Sequence, residues 1–141
     1  PTRRSSDLIS GIELRVEKLE NQAFILAQKR KLLLLFENLI YNAISFTPED
    51  GVITISPCLD QDGVTIRVSD TGMGIEPEHL PHIFERFYSG RPDASESSGL
   101  GLYIARITVE ELGGSIHAES VKGQGSVFTV RIPLAGTVPS L

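Results

Sequence analysis

The chain has 141 residues, 40% of them hydrophobic, a formal net charge of −5 and one cysteine. That length suits one compact domain able to bury a core. The acidic balance argues against nucleic-acid binding, and a lone cysteine excludes an internal disulfide or a cysteine-based zinc site.

Residues 1–8, Pro1-Thr2-Arg3-Arg4-Ser5-Ser6-Asp7-Leu8, resemble the conceptual translation of a common sequencing adapter. They are read as adapter-derived or as a disordered tail and left outside the fold. The folded domain is expected over 9–134, with 135–141 a second tail. Residues 9–16 read as a strand, with Ile12, Leu14 and Val16 alternating, and the apolar run 23–27 as a short buried strand. Residues 29–46 form the clearest helix: Leu32, Leu35, Phe36, Leu39 and Ala43 recur at helical spacing and predict its core face. Thr47-Pro48-Glu49-Asp50-Gly51 stops it. Residues 52–58 and 64–69 alternate around Asp60-Gln61-Asp62-Gly63, a hairpin that puts Cys58 half-buried on a strand. A glycine turn follows at 70–75, then a short helix over 77–84 with proline at its start. Residues 85–98 lack periodicity and read as a mobile loop. A second long helix spans 100–112, and a last hairpin joins 115–119 to 126–132. This order predicts an α/β (α+β) two-layer sandwich, a mixed, mostly antiparallel sheet with about three helices on one face. The apolar runs 23–27 and 32–36 are too short to cross a bilayer, and no apolar leader segment is read at the start. The expected compartment is therefore cytoplasmic.

Four blocks can carry chemistry. Asn38 and Asn42 lie four apart on the first long helix, with Ser45 and Phe46 at the next turn. A carboxamide oxygen is a neutral hard ligand, suited to Mg²⁺ whose charge is balanced by phosphates; two solvent-facing asparagines are the plainer alternative. Asp70-Thr71-Gly72-Met73-Gly74 offers a carboxylate that could hold an exocyclic amine and glycines that allow close approach of a flat ligand; by itself it also reads as a tight turn. Ser98-Gly99-Leu100-Gly101-Leu102 opens the second helix, where free backbone N–H groups bind phosphate. Gly123-Gln124-Gly125-Ser126, singly, is a hairpin turn.

Together these blocks resemble, in order and spacing, the nucleotide site shared by gyrase-type topoisomerases, ninety-kilodalton heat-shock chaperones, sensor histidine kinases and mismatch-repair ATPases. The chain is most similar to the catalytic and ATP-binding domain of a sensor histidine kinase. Residues 36–43 resemble its N box, 70–75 the first glycine box, Ile83-Phe84-Glu85-Arg86-Phe87-Tyr88 the F box, 98–102 the second glycine box and 123–128 the third. The resemblance runs from about residue 23 to 133 and implies a Bergerat-type ATP-binding fold, with ATP and Mg²⁺ as cofactors. It assigns Asn42 as Mg²⁺ ligand, Asn38 as a polar group near the phosphates, and Phe46 as an aromatic beside adenine. Asp70 becomes the adenine anchor, with Ser126 helping through a water, and Gly72 and Gly74 allow close approach. Arg86 reaches the phosphates from the lid at 85–98, and Ser98, Gly99, Leu100, Gly101 and Leu102 meet them at the helix start.

Ser45 stands where the family commonly has Lys or Arg, Ser97 where it has glycine, and Gln28 where it has an acid. These departures bear on nucleotide affinity. Hydrolysing members carry Glu four residues before the metal-binding Asn; here that position is Asn38, which cannot take a proton, and Glu37 is rotated 100° away. The expectation is phosphoryl transfer to a side chain. None of His79, His82 and His117 is followed by an acidic residue, so the phosphoacceptor is expected on an upstream dimerisation domain outside the chain. A response-regulator receiver, a homodimeric parent and anchoring in the bacterial inner membrane complete the implied picture, with no nucleic acid. Two alternatives stand beside it: a stand-alone anti-sigma-type serine kinase, and a degenerate module that binds a partner but no nucleotide.

Overall fold

The computed structural model describes residues 2–9, 11–19, 29–88 and 101–133. Among them six strands form one sheet in the order β1-β2-β3-β4-β6-β5. β1 (Thr2–Ile9) and β2 (Ile12–Leu19) are an antiparallel hairpin, in register from Thr2↔Leu19 to Ile9↔Ile12. Here the structure corrects the sequence reading twice: the segment set aside as a tail is a strand, and the strand expected over 9–16 begins at Ile12 and runs on to Leu19. The reason is that ladder bonds are made by backbone, so an open edge accepts an extended segment whatever its side chains. The strand expected at 23–27 lies outside the described residues.

The helix α1 (Lys29–Phe46) has the predicted bounds. Leu35, Leu39 and Ala43 are buried and Leu32, Phe36 and Ile44 pack against them, as the spacing requires. It ends where Thr47 donates its hydroxyl to the Ala43 carbonyl at 2.6 Å, with Pro48 next. α1 carries the chain from β2 to the parallel strand β3 (Val52–Leu59), the one parallel pairing among these strands. β3 then turns into β4 (Gly63–Asp70) as the predicted hairpin. In that turn Asp60 accepts the Asp62 and Gly63 amides at 2.8 and 3.0 Å. Arg131 of β6 grips its carboxylate with two nitrogens, each at 2.7 Å. The guanidinium, and then these amides, hold the Asp60 carboxyl well below the ordinary carboxylate range.

The helix expected at 77–84 is a third correction: only one 3-10 turn, Leu80–His82, forms there. Successive i−3 bonds, His79 to Glu76, His82 to His79 and Glu85 to His82, tighten the segment. Pro81 cannot supply the N–H that an α-helix would need from it. α2 (Gly101–Glu111) follows, then β5 (Ser115–Val121) and β6 (Gly125–Pro133). β6 slots between β4 and β5, antiparallel to both. The described residues thus hold two α-helices rather than about three.

Alternation along β6 buries Ser126, Phe128, Val130 and Ile132 and leaves Val127, Thr129 and Arg131 on the other face. Ala105 and Val109 of α2 join Leu35 and Leu39 of α1 over the buried face, and Lys31 and Glu111 bridge the helices at 3.0 Å. Phe84 closes the end edge-on to Phe128, with centroids 6.1 Å apart. The result is the expected two-layer sandwich. No described helix is long and apolar enough to cross a membrane.

Candidate functional site

The apolar core turns polar at one end of β4 and β6. Asp70 is the last residue of β4 and Ser126 lies opposite it on β6; both are buried. The Asp70 Oδ1 accepts the Gly72 amide at 2.9 Å. Burial pushes the carboxyl above its ordinary value, and the amides of Gly72 and Ser126 oppose the shift. A carboxylate held in so dry a place keeps acceptor capacity for a donor that replaces water.

The turn after Asp70 is clamped from two sides. Met73 donates its amide to the Phe46 carbonyl at 3.1 Å, at the end of α1, and Gly123 donates to the Met73 carbonyl at 2.7 Å. A Cβ on Gly72 would land on the Phe46 carbonyl and the Asp70 carboxylate. One on Gly74, whose φ is +73°, would strike the Val121 carbonyl. These glycines therefore let protein backbone approach protein backbone. Gly72 packs the turn against the end of α1, and Gly74 packs it against the turn between β5 and β6.

Asn38 and Asn42 are both half-buried on α1, whereas Glu37 is exposed, as the helical rotation requires. Asn38 donates its amide to the Leu34 carbonyl at 2.9 Å, one turn back. A Cβ on Gly101 would lie 3.5 Å from its Oδ1, so the start of α2 sits over Asn38 and the N box meets the second glycine box. Among the described residues the Asn42 side chain has no hydrogen-bond partner, which leaves its carboxamide free. Ser45 returns its hydroxyl to the Tyr41 carbonyl at 2.9 Å. Phe46 is half-buried at the helix end beside the Asp70 turn. Ser98, Gly99 and Leu100 lie outside the described residues; Leu102 packs against the core. Arg86 is exposed and stacks on Phe87, 4.7 Å from guanidinium carbon to ring centroid, rather than on any group of this site. Phe87 holds a φ of +64°, a left-handed conformation costing a side-chain-bearing residue about 1–2 kcal/mol. His79 pairs with Tyr88, His82 with Glu85 at 2.8 Å, and His117 is exposed on β5.

Sequence reading missed Ser120. Its hydroxyl touches Ile75, Gly125 and Ser126. The strand read over 115–119 stopped one residue short of it, and its register opposite Ser126 is not revealed by composition.

Over residues 27–136 the chain matches the family of histidine kinase-, DNA gyrase B-, and HSP90-like ATPases, and it belongs to that family. Within it, the relatives are sensor kinases. The chain is 38% identical to the sensor histidine kinase RppB of Synechocystis over 92% of its own length and 27% of the relative's. It is 40% identical to the phosphate regulon sensor protein PhoR of Pseudomonas aeruginosa, over 67% of this chain and 22% of that one. The chain thus spans about a quarter of the curated relatives it matches. Among solved structures it resembles full-length ShkA in complex with AMPPNP, with TM-score 0.76 and 29% identity over 89% of this chain and 26% of that one. The catalytic domain of histidine kinase ThkA superposes with TM-score 0.69 at 29% identity, over 88% and 80%.

Proposed function

We propose that this chain is the ATP-binding catalytic domain of a two-component sensor histidine kinase, donating the γ-phosphoryl of Mg-ATP to a histidine on an upstream dimerisation domain. The observation that carries the reading is the dry carboxylate of Asp70, built into the end of the core beside a glycine joint, with the free Asn42 carboxamide on the adjoining helix. Asp70 would accept from the adenine amine and Phe46 would lie beside the base. Gly101 and the rest of the second glycine box would meet the phosphates at the start of α2.

The donor set fits Mg²⁺. No group of three His, Cys, Asp or Glu among the described residues could hold an ion, so such an ion would take most of its ligands from phosphate and water. Asn42 supplies a neutral oxygen to that shell without adding charge. When bound, the ion would neutralise charge developing on the transferred phosphoryl. Asn38, with its amide spent on Leu34 and no basic site, does not activate water. Transfer then breaks the bond from the γ-phosphorus to the ADP oxygen and forms one to an imidazole nitrogen. That nitrogen belongs to the partner domain. The nucleotide complex of ShkA supports the reading by similarity. A cytoplasmic domain, a homodimeric parent anchored in the inner membrane and a response-regulator receiver as final acceptor belong to the same proposal.

Calorimetry with Mg-ATP tests it. Wild type should bind and Asn42→Ala should lose at least about tenfold, the loss of one metal ligand or its orientation. No heat with wild type would favour the degenerate, partner-binding module. Incubated alone with labelled ATP, the chain should acquire no phosphate; label on His79, His82 or His117 would refute the assignment of the acceptor elsewhere.

A further inference from the structure

Three strands stay in register at the polar end of the core. Val68, Phe128 and Ala118 form one apolar row across β4, β6 and β5, and Asp70, Ser126 and Ser120 form the row two residues further on. The Ser120 Oγ accepts the Ile75 N–H at 2.8 Å, lies 3.0 Å from the Gly125 carbonyl oxygen it donates to, and stands 2.8 Å from the Ser126 Oγ. A serine hydroxyl carries one proton and two lone pairs. With its proton on Gly125 and one lone pair taken by Ile75, Ser120 can only accept from Ser126. The Ser126 proton is then committed, and that hydroxyl presents lone pairs alone to a group lying beside Asp70.

We propose that Ser120 is a positioning residue that orients the Ser126 hydroxyl as an acceptor, so that the Asp70–Ser126 row selects a nucleobase edge bearing an amine over one lacking it. The proposal rests on the nucleotide reading above and deepens it. An exocyclic amine brings two N–H donors to two acceptors. An edge with hydrogen in place of the amine leaves both buried acceptors unpaired. Removing the Ser120 oxygen frees the Ser126 proton to turn outward, where it can donate. Discrimination between the two edges then weakens, although no ligand atom touches Ser120.

The test is calorimetry of the whole chain with Mg-ATP and with the magnesium complex of purine riboside triphosphate, which has hydrogen in place of the amine and keeps the N1 lone pair of adenine. Ser120→Ala should lose about tenfold in affinity for ATP while the amine-free analogue changes by less than about threefold, narrowing the preference. Ser120→Thr, which keeps the hydroxyl, should hold the wild-type ratio. Equal losses for both nucleotides in Ser120→Ala would overturn the proposal, because a hydroxyl that only braces the two glycine boxes cannot tell the bases apart. If Ser120→Ala does not fold, Ser126→Ala decides: a narrowed ratio supports the proposal and an unchanged ratio overturns it. Wild type that binds neither nucleotide overturns the nucleotide reading and this one with it. Wild type that binds ATP and loses it in Asp70→Asn, with an unchanged ratio in Ser120→Ala, overturns this one alone.

Discussion

Asp70 is asked to stay ionised in a place that disfavours charge. Its carboxyl lies above the ordinary value because of burial, so the native state takes up a proton more readily than the unfolded chain. The sign follows by linkage: ionised Asp70 costs stability once pH rises through its native pKa, and the cost disappears as pH falls to the ordinary carboxylate range near about 4. Asp70→Asn keeps an oxygen for the Gly72 amide. The ligand-free variant should therefore be at least as stable as wild type at neutral pH, with the gap closing on acidification in urea titrations. Nucleotide affinity should move the other way. It should fall on acidification at a higher pH than an ordinary aspartate would impose, and in Asp70→Asn it should be weak at every pH. These residues were legible because their types are unusual for their elements: two asparagines inside a helix and a carboxylate ending a strand of apolar alternation. Ser120 was not, since it lies one residue beyond the strand read over 115–119 and a serine there is unremarkable until its cross-strand partner is known.

At the scale of elements, α1 could be read to its last residue. Its apolar spacing is unbroken and Thr47-Pro48 ends it chemically. The segment 77–84 was misread because its apolar residues recur as in a helix, while Pro81 decides the backbone. The glycine joint binds these elements to one another. Gly74→Ala would force a left-handed alanine into the Val121 carbonyl. It should destabilise the domain by at least about 2 kcal/mol in denaturant titrations and loosen nucleotide binding through the displaced turn. Phe128→Ala tests the other side of the boundary. That ring is buried in the core and against Phe84, so its loss should cost about 3–5 kcal/mol. Where the mutant remains folded, the Asp70–Ser126 row one step away should still admit ATP, seen as a thermal shift on adding Mg-ATP.

For the whole molecule the sheet sets distances. β1 pairs with β2 alone, and two strands separate it from β4, about 14 Å at the usual strand spacing. Deleting residues 1–9 should lower the melting temperature modestly and leave Mg-ATP affinity within about twofold, because an edge hairpin strand contributes ladder bonds but no part of the site. The amino-acid sequence alone determined the family resemblance, the bounds of α1, the two hairpins read as 52–58 with 64–69 and 115–119 with 126–132, and the choice of Asn38, Asn42 and Asp70 as candidate site residues. Those signals are local, carried by periodicity, turn residues and short motifs. Only the tertiary structure decided that residues 2–9 join the sheet, that Gly72 and Gly74 seat protein backbone, that Gly101 closes over Asn38, and that Ser120 stands behind Ser126. Each of these depends on which strand lies beside which, and register between strands distant in the chain is set by packing of the whole core rather than by any window of residues.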